Sequence, residues 1–220
     1  MCKLIVIEGL DGSGKATQAN LLYETLNSKG FGVKKVTFPD YESDSSAPVR
    51  MYLGGKLSDK PDGVNAFAAS SFYAVDRYIS FKTNWEQLYN AGGVIVADRY
   101  TTSNGVHQCS KLPKESWNSF MDWLYDFEYN KIGIPKPDAV IYLDMSPEVS
   151  QKLMSKRYNG DEAKKDIHEK DKEYLLKSRQ AAYFCIEHDN WIKIKCDDGE
   201  KPLSIEEISS QILKVVTQVL

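Results

Sequence analysis

The chain has 220 residues, 42% of them hydrophobic and 27% charged, with 28 basic against 31 acidic side chains. That much apolar material excludes disorder as the dominant state, and a pI near 5.7 argues against broad, sequence-independent nucleic-acid binding, which needs clustered positive charge. The apolar run Leu4-Ile5-Val6-Ile7 stops at Glu8, far short of the roughly 20 residues of a membrane span or the roughly 7–15 of a secretory h-region.

Taken in order, strand-length apolar runs alternate with longer helical stretches. The strand candidates are Lys3–Glu8, Val33–Phe38, Gly93–Asp98, Asp138–Asp144 and Trp191–Cys196. Most are Val/Ile-rich without polar alternation, as buried parallel strands are. The helix candidates are Lys15–Lys29 (ending at Gly30), Asp62–Ala91 (ending at Gly92-Gly93), Lys114–Lys131, Ser146–Arg157, Ile167–His188 and Ser204–Leu220. Ser146-Pro147-Glu148 supplies an N-cap with Pro at the first helical position, and Ser204 to Glu207 reads as a capping box. The alternation predicts an α/β fold, a doubly wound five-stranded parallel sheet flanked by helices, over one domain spanning 1–220. Repeats, low-complexity tracts and a linker are absent from the sequence. Cys2, Cys109, Cys185 and Cys196 form no CxxC pair, so they read as reduced thiols of a cytoplasmic protein rather than a zinc site.

Ligands of such sheets sit beyond the carboxyl ends of the strands. After the first strand comes Gly9-Leu10-Asp11-Gly12-Ser13-Gly14-Lys15-Ala16-Thr17, and a helix follows. This is GxxxxGK in its strand–loop–helix context: glycines let the backbone wrap a phosphate, the helix N-terminus adds positive charge, and Lys15 reaches the outer phosphates. The next position is Ala16, which has no oxygen for a metal, and Thr17 follows it. After the third strand, Asp98 is placed to hold Mg²⁺ or its waters, and Arg99 to grip a phosphate with a planar fork.

Four segments together resemble the thymidylate kinase family over most of the chain: Ile7–Lys15, Phe38-Pro39, Phe72-Tyr73-Ala74-Val75-Asp76-Arg77, and Asp98-Arg99-Tyr100 with Ser103 and Asn104. The resemblance implies a P-loop kinase that phosphorylates dTMP with ATP and Mg²⁺, and a homodimer. It implies that Gly9, Asp11, Gly12, Ser13, Gly14, Lys15, Ala16 and Thr17 surround ATP, with Asp11 also accepting from the deoxyribose 3′-hydroxyl. Arg77 would donate to thymine O4 and Tyr73 would stack on the base. Arg99 would clamp the acceptor phosphate, with Tyr41 nearby and Asn104 beside base and sugar. Thr17 and Asp98 would organise the metal, partly through water. Lys156–His168 resembles the lid that closes over ATP, with Arg157 as an adenine-stacking and catalytic candidate. His107 stands where many relatives have Tyr, which leaves ribose discrimination less secure than thymine recognition. The lid is otherwise lysine-bearing, and Gly12-Ser13 stand where some relatives carry a P-loop Arg.

Three other readings compete. A kinase of UMP/CMP or AMP would lack a use for the Phe72–Arg77 segment. A non-catalytic ATP-binding regulatory module would explain Ala16 but not Asp98-Arg99. A GTPase switch would need an Asn-Lys-x-Asp guanine signature, which is missing from the sequence.

Overall fold

The inner strands are uninterrupted runs of aliphatic residues because helices cover both sides of the sheet. The computed structural model describes residues 2–157 and 172–220. In them β1 (Lys3–Glu8), β2 (Val33–Thr37), β3 (Val94–Asp98), β4 (Ala139–Asp144) and β5 (Ile192–Lys195) form one five-stranded sheet in the order β2-β3-β1-β4-β5. All neighbouring pairs are parallel. The doubly wound sheet expected from the sequence is therefore the fold.

Alternation along β1 sends its side chains into two cores. Ile5 and Ile7 pack with Leu22 and Leu26 of α1 (Lys15–Ser28) and with Ile208, Ile212 and Val216 of α9 (Ile205–Val219). Leu4 and Val6 point the other way, onto Phe81 and Trp85. Each fully buried aliphatic of this kind contributes about 1.5–3 kcal/mol relative to exposure. On that second side lie α3 (Ala66–Ser80), α4 (Glu86–Asn90), α5 (Thr101–Cys109), α6 (Trp117–Tyr125) and α8 (Lys172–Asp189), the last three sharing a core with Tyr142 and Trp191. The remaining α-helices among the described residues are α2 (Ala47–Leu53) and α7 (Pro147–Arg157).

The strands match expectation to within a residue at each end. Several helices differ. The stretch read as Asp62–Ala91 begins at Ala66, because Asn65 is extended and its side chain accepts from Ala68 N at 2.8 Å. It is then interrupted by a π-helical segment, Phe81–Trp85, before α4. The stretch Lys114–Lys131 likewise divides into a 3-10 turn, α6 and a π-helical segment Asp126–Ile132. The short helices α2 and α5 were not expected. The expected start of α8 at Ile167 lies outside the described residues. The Ser204–Glu207 capping box is present in both directions. No helix among the described residues is long and apolar enough to cross a membrane.

Candidate active site

The sheet register brings the two informative loops together. Ile7 pairs with Asp98, and Arg99 N donates to Ile7 O at 3.1 Å. The chain therefore leaves β1 and β3 side by side.

The loop after β1 is shaped by glycine. Gly12 has φ +80, and a Cβ there would lie 2.8 Å from Ser150 O of α7. Gly9 is as constrained, since its Cβ would approach Ser13 Oγ at 2.6 Å and Leu143 O at 2.9 Å. A side chain at either position would push the loop off its backing. The loop ends at Gly14, the N-cap of α1; no side chain caps that helix, and its first turn holds no acidic residue. Its first amides keep their hydrogens for an anion. Lys15 lies across the loop, donating to Leu10 O at 2.8 Å, with Asp11 3.8 Å away. Burial, then the charge of Arg99, pushes the Lys15 ammonium down to about 8, against the opposing pull of Asp11, Asp98 and Glu8.

Beside it, Asp98 is buried at the end of β3 and lines the same cavity. Arg99 stands in a left-handed conformation, φ +68. Its Nη2 donates to Asp11 Oδ1, and Nη1 contacts Ser103 Oγ and His107 Nε2, each at 3.3 Å. Nη1 is also 3.5 Å from Glu8 Oε1. Glu8 is fully buried and accepts from Thr102 Oγ1, Ser103 Oγ and Gly9 N. It thereby ties the P-loop to α5. The Asp11, Glu8 and Asp98 carboxylates hold Arg99 well above its ordinary value, although burial alone would lower it.

These groups open onto a cavity of about 830 Å³ whose far wall is α3 and α5. Tyr73 and Arg77, four residues apart on α3, both line it, as do Asn104 and Gln108 on α5. Tyr73 meets Tyr52 edge-on, ring centroids 6.5 Å apart. Arg77 is 1% exposed and bound side-on by Glu128, Nε at 2.7 Å and Nη2 at 2.6 Å. Gln108 is equally buried, and neither atom of its amide has a hydrogen-bond partner among the described residues. Each such orphaned group costs about 1–3 kcal/mol, which a polar ligand in the cavity would offset.

His107 links the two halves. Arg99 has no acceptor, so it donates to Nε2; in the neutral ring the proton then sits on Nδ1, facing Tyr174 Oη at 3.4 Å. The two rings stack at 15°. Tyr41 lines the mouth and is half exposed; Asp76 steadies its loop by accepting from Asp40 N and Ser45 Oγ.

Of the residues singled out in the sequence, Asp11, Gly12, Gly14, Lys15, Ala16, Thr17, Tyr41, Tyr73, Arg77, Asp98, Arg99, Asn104 and His107 all face this one cavity. Gly9 and Ser13 do not line it: they form the back of the loop, where Ser13 is buried with its hydroxyl unpaired among the described residues. Arg157 ends α7, but its side chain and the segment 158–171, which hold most of the expected lid, lie outside the described residues. Sequence reasoning missed Glu128, Gln108 and Tyr174, and it gave Glu8 no role. Gln108 follows Asn104 by four positions, the spacing that pairs Tyr73 with Arg77.

The donor set fits a hard cation only in part. Asp98 supplies one buried carboxylate and Thr17 one hydroxyl at the cavity edge, while Ala16 supplies nothing. No cluster of three or more metal-ligating side chains occurs among the described residues. One carboxylate and one hydroxyl are as much as Mg²⁺ would ask of the protein, since it keeps several waters and takes phosphate oxygens beside one or two carboxylates.

A phosphate-binding loop whose cavity runs on to an aromatic, amide-bearing wall is the layout of a P-loop kinase acting on a small acceptor with a planar ring. Known proteins agree on that class. A family profile described as thymidylate kinase matches residues 7–212. A thymidylate kinase of Mycobacterium tuberculosis is 29% identical over 183 residues, covering 82% of this chain and 83% of that protein. A probable thymidylate kinase of Archaeoglobus fulgidus is 30% identical over 217 residues, covering 99% of this chain and 96% of that protein. The solved thymidylate kinase of Candida albicans superposes with a TM-score of 0.70 over 99% of this chain and 92% of that one, at 23% identity. The chain belongs to the thymidylate kinase family, and it is a kinase.

Proposed function

We propose that this enzyme transfers the γ-phosphoryl group of ATP to dTMP, giving ADP and dTDP and so supplying dTTP for DNA synthesis. The observation that carries the reading is the cavity with two unlike ends, Lys15 and the α1 N-terminus at one and Tyr73, Arg77 and Asn104 at the other. The bond from the γ-phosphorus to its bridging oxygen breaks, and an oxygen of the acceptor phosphate takes its place. A nucleotide phosphate is already largely ionised near neutral pH, so no general base is required. Catalysis is then positioning and charge stabilisation.

The P-loop amides from Gly12 to Thr17 and Lys15 hold the ATP phosphates. Mg²⁺, held by Asp98 and Thr17 partly through water, would neutralise charge on them when bound. Arg99 orients the acceptor phosphate beside Tyr41, and Asp11 accepts from the 3′-hydroxyl. Tyr73 stacks on the base, Arg77 donates to it, and Asn104, Gln108 and His107 border base and sugar. The chain acts as one kinase domain over 1–220. It works in the reducing cytoplasm, in keeping with four free cysteines, three of them buried. Two copies pair through α3, where Phe67, Val75, Tyr78 and Ile79 are 38–46% exposed on one broad face.

The reading is tested by incubating the enzyme with γ-labelled ATP, Mg²⁺ and dTMP and separating the products. Label in dTDP, equimolar with ADP, is the expected result. ADP without labelled dTDP would mean hydrolysis instead of transfer.

A further inference from the structure

Glu128 lies in the π-helical segment after α6 and is 0% exposed; it sits behind the cavity wall, bound to Arg77 and Asn104, which line it. Its two oxygens take four hydrogen bonds. Oε2 accepts from Arg77 Nε at 2.7 Å and Thr101 Oγ1 at 2.8 Å; Oε1 accepts from Arg77 Nη2 at 2.6 Å and Asn104 Nδ2 at 3.2 Å. A carboxylate has about four lone-pair sites, so Glu128 is saturated and offers nothing to a substrate directly. Burial alone would lower Arg77, but Glu128 holds it above its ordinary value, so the guanidinium stays charged.

The effect falls on what its partners present. With Nε and one hydrogen of Nη2 given to Glu128, Arg77 keeps the second Nη2 hydrogen and Nη1, which touches Tyr100 O only at 3.4 Å. All of these are donors and can be nothing else. Asn104 gives Nδ2 to Glu128 and to Ser70 O at 3.3 Å. The opposite amide orientation would set Oδ1 against two oxygens, so the network fixes Oδ1 as the atom left for the cavity. Side by side, Arg77 therefore shows a donor and Asn104 an acceptor, in an order that Glu128 and Ser70 O fix, while the Gln108 amide, which can present either face, adds no polarity of its own.

We propose that Glu128 is a positioning residue for base recognition: by holding Arg77 and Asn104 together it sets a donor-and-acceptor polarity that matches the O4 and N3–H edge of thymine or uracil and opposes the N4–H₂ and N3 edge of cytosine. The inference rests on the dTMP reading above and adds the element that gives that reading its polarity. Stability alone is a poor account of this ion pair, since well-packed apolar residues often replace a buried pair without loss. What an apolar pair would not supply is the orientation of Asn104.

The test compares wild type with Glu128→Gln, which keeps the shape and loses the charge. KM is measured for dTMP and for ATP, and kcat/KM for dTMP and for dCMP, on protein whose folding is checked by its thermal transition. A rise of about tenfold in KM for dTMP, a fall of about tenfold in the dTMP-to-dCMP ratio, and an ATP KM within about twofold of wild type are expected. In an Asn104→Ala background the same substitution should change the ratio much less, because part of its route is gone. An unchanged ratio, or equal rises in KM for both substrates, overturns the proposal. Should Glu128→Gln not fold, Glu128→Asp keeps the charge and withdraws it by one methylene. It should give a smaller shift in the same ratio, and an unchanged ratio there overturns the proposal as well. Wild-type enzyme that does not prefer dTMP to dCMP overturns the underlying base reading, which separates that failure from a failure of Glu128 alone.

Discussion

Arg99 and Asp11, one at the end of β3 and one in the P-loop, are ion-paired to each other through Nη2 and Oδ1. These are the side chains that the family resemblance gives to the acceptor phosphate and the sugar hydroxyl. They are 17% and 25% exposed, so solvent screens the pair and its worth is on the order of 1 kcal/mol or less. A nucleotide can open it. The pairing holds both groups at the cavity, and under the proposed function it would couple the sugar contact to the phosphate contact.

Asp11→Ala separates the two roles. In wild type, dTMP should be favoured over its 3′-deoxy analogue by about tenfold in kcat/KM, the worth of one hydrogen bond to a charged group. In Asp11→Ala that ratio should fall to about one. Steady-state kinetics with both acceptors give the answer. A ratio untouched by the substitution would leave Asp11 as an anchor for Arg99 and remove it from the sugar.

Lys15 predicts a pH dependence of ATP binding. Its pKa is lowered from 10.5 to about 8, first by burial and then by Arg99. ATP phosphates favour the charged form, so binding at or above pH 8 must draw in a proton. Affinity should then fall with rising pH, by up to about tenfold per unit. Calorimetric titrations in buffers of unlike ionisation enthalpy measure both the affinity and the proton uptake. Flat affinity from pH 7 to 9 would contradict the account. The sign for stability is the reverse. Between about 8 and 10.5 the unfolded chain binds the extra proton, so stability from this group rises with pH through that window. Below it the buried charge is a standing penalty. Lys15→Met should therefore gain about 1–3 kcal/mol at neutral pH while losing phosphoryl transfer.

Gln108 carries an unpaired amide in the cavity wall. Replacement by Met, of similar volume, removes two unsatisfied polar atoms. Gln108→Met should raise the unfolding free energy by about 1–3 kcal/mol. It should also raise KM for dTMP while leaving KM for ATP in place. Denaturant unfolding and steady-state kinetics read the two effects separately. A destabilised variant with unchanged dTMP kinetics would mark Gln108 as a packing residue.

What the sequence made legible was local. The loop from Gly9 to Lys15 and the Asp98-Arg99 pair each follow a strand that can be recognised from its own residues, so their place at the sheet's edge could be read directly. Arg77 with Tyr73 was visible through helical spacing. Glu128 was not, because its partner Arg77 is 51 positions away and nothing local marks a glutamate among aromatics as buried. Helix α5 was hidden for a different reason. Thr101-Thr102-Ser103-Asn104-Gly105 are poor helix formers. Packing decides instead: Thr101 and Thr102 are buried, and a Cβ at Gly105 would sit 3.0 Å from Met121 Sδ. Without that helix in view, Asn104 and Gln108 could not be seen to share a face. The π-helical turn at Phe81–Trp85 is likewise invisible to periodicity, since it adds a wide turn to a pattern that otherwise continues.

The most direct test is ADP release from ATP and Mg²⁺ with each monophosphate offered singly: dTMP and dUMP beside UMP, dCMP and AMP. The account predicts that dTMP is preferred, that dUMP follows because it shares the O4 and N3–H edge, and that dCMP and AMP are poor acceptors. Equal turnover of all five, or a preference for AMP, would contradict the assignment of Tyr73, Arg77 and Asn104 to the thymine base.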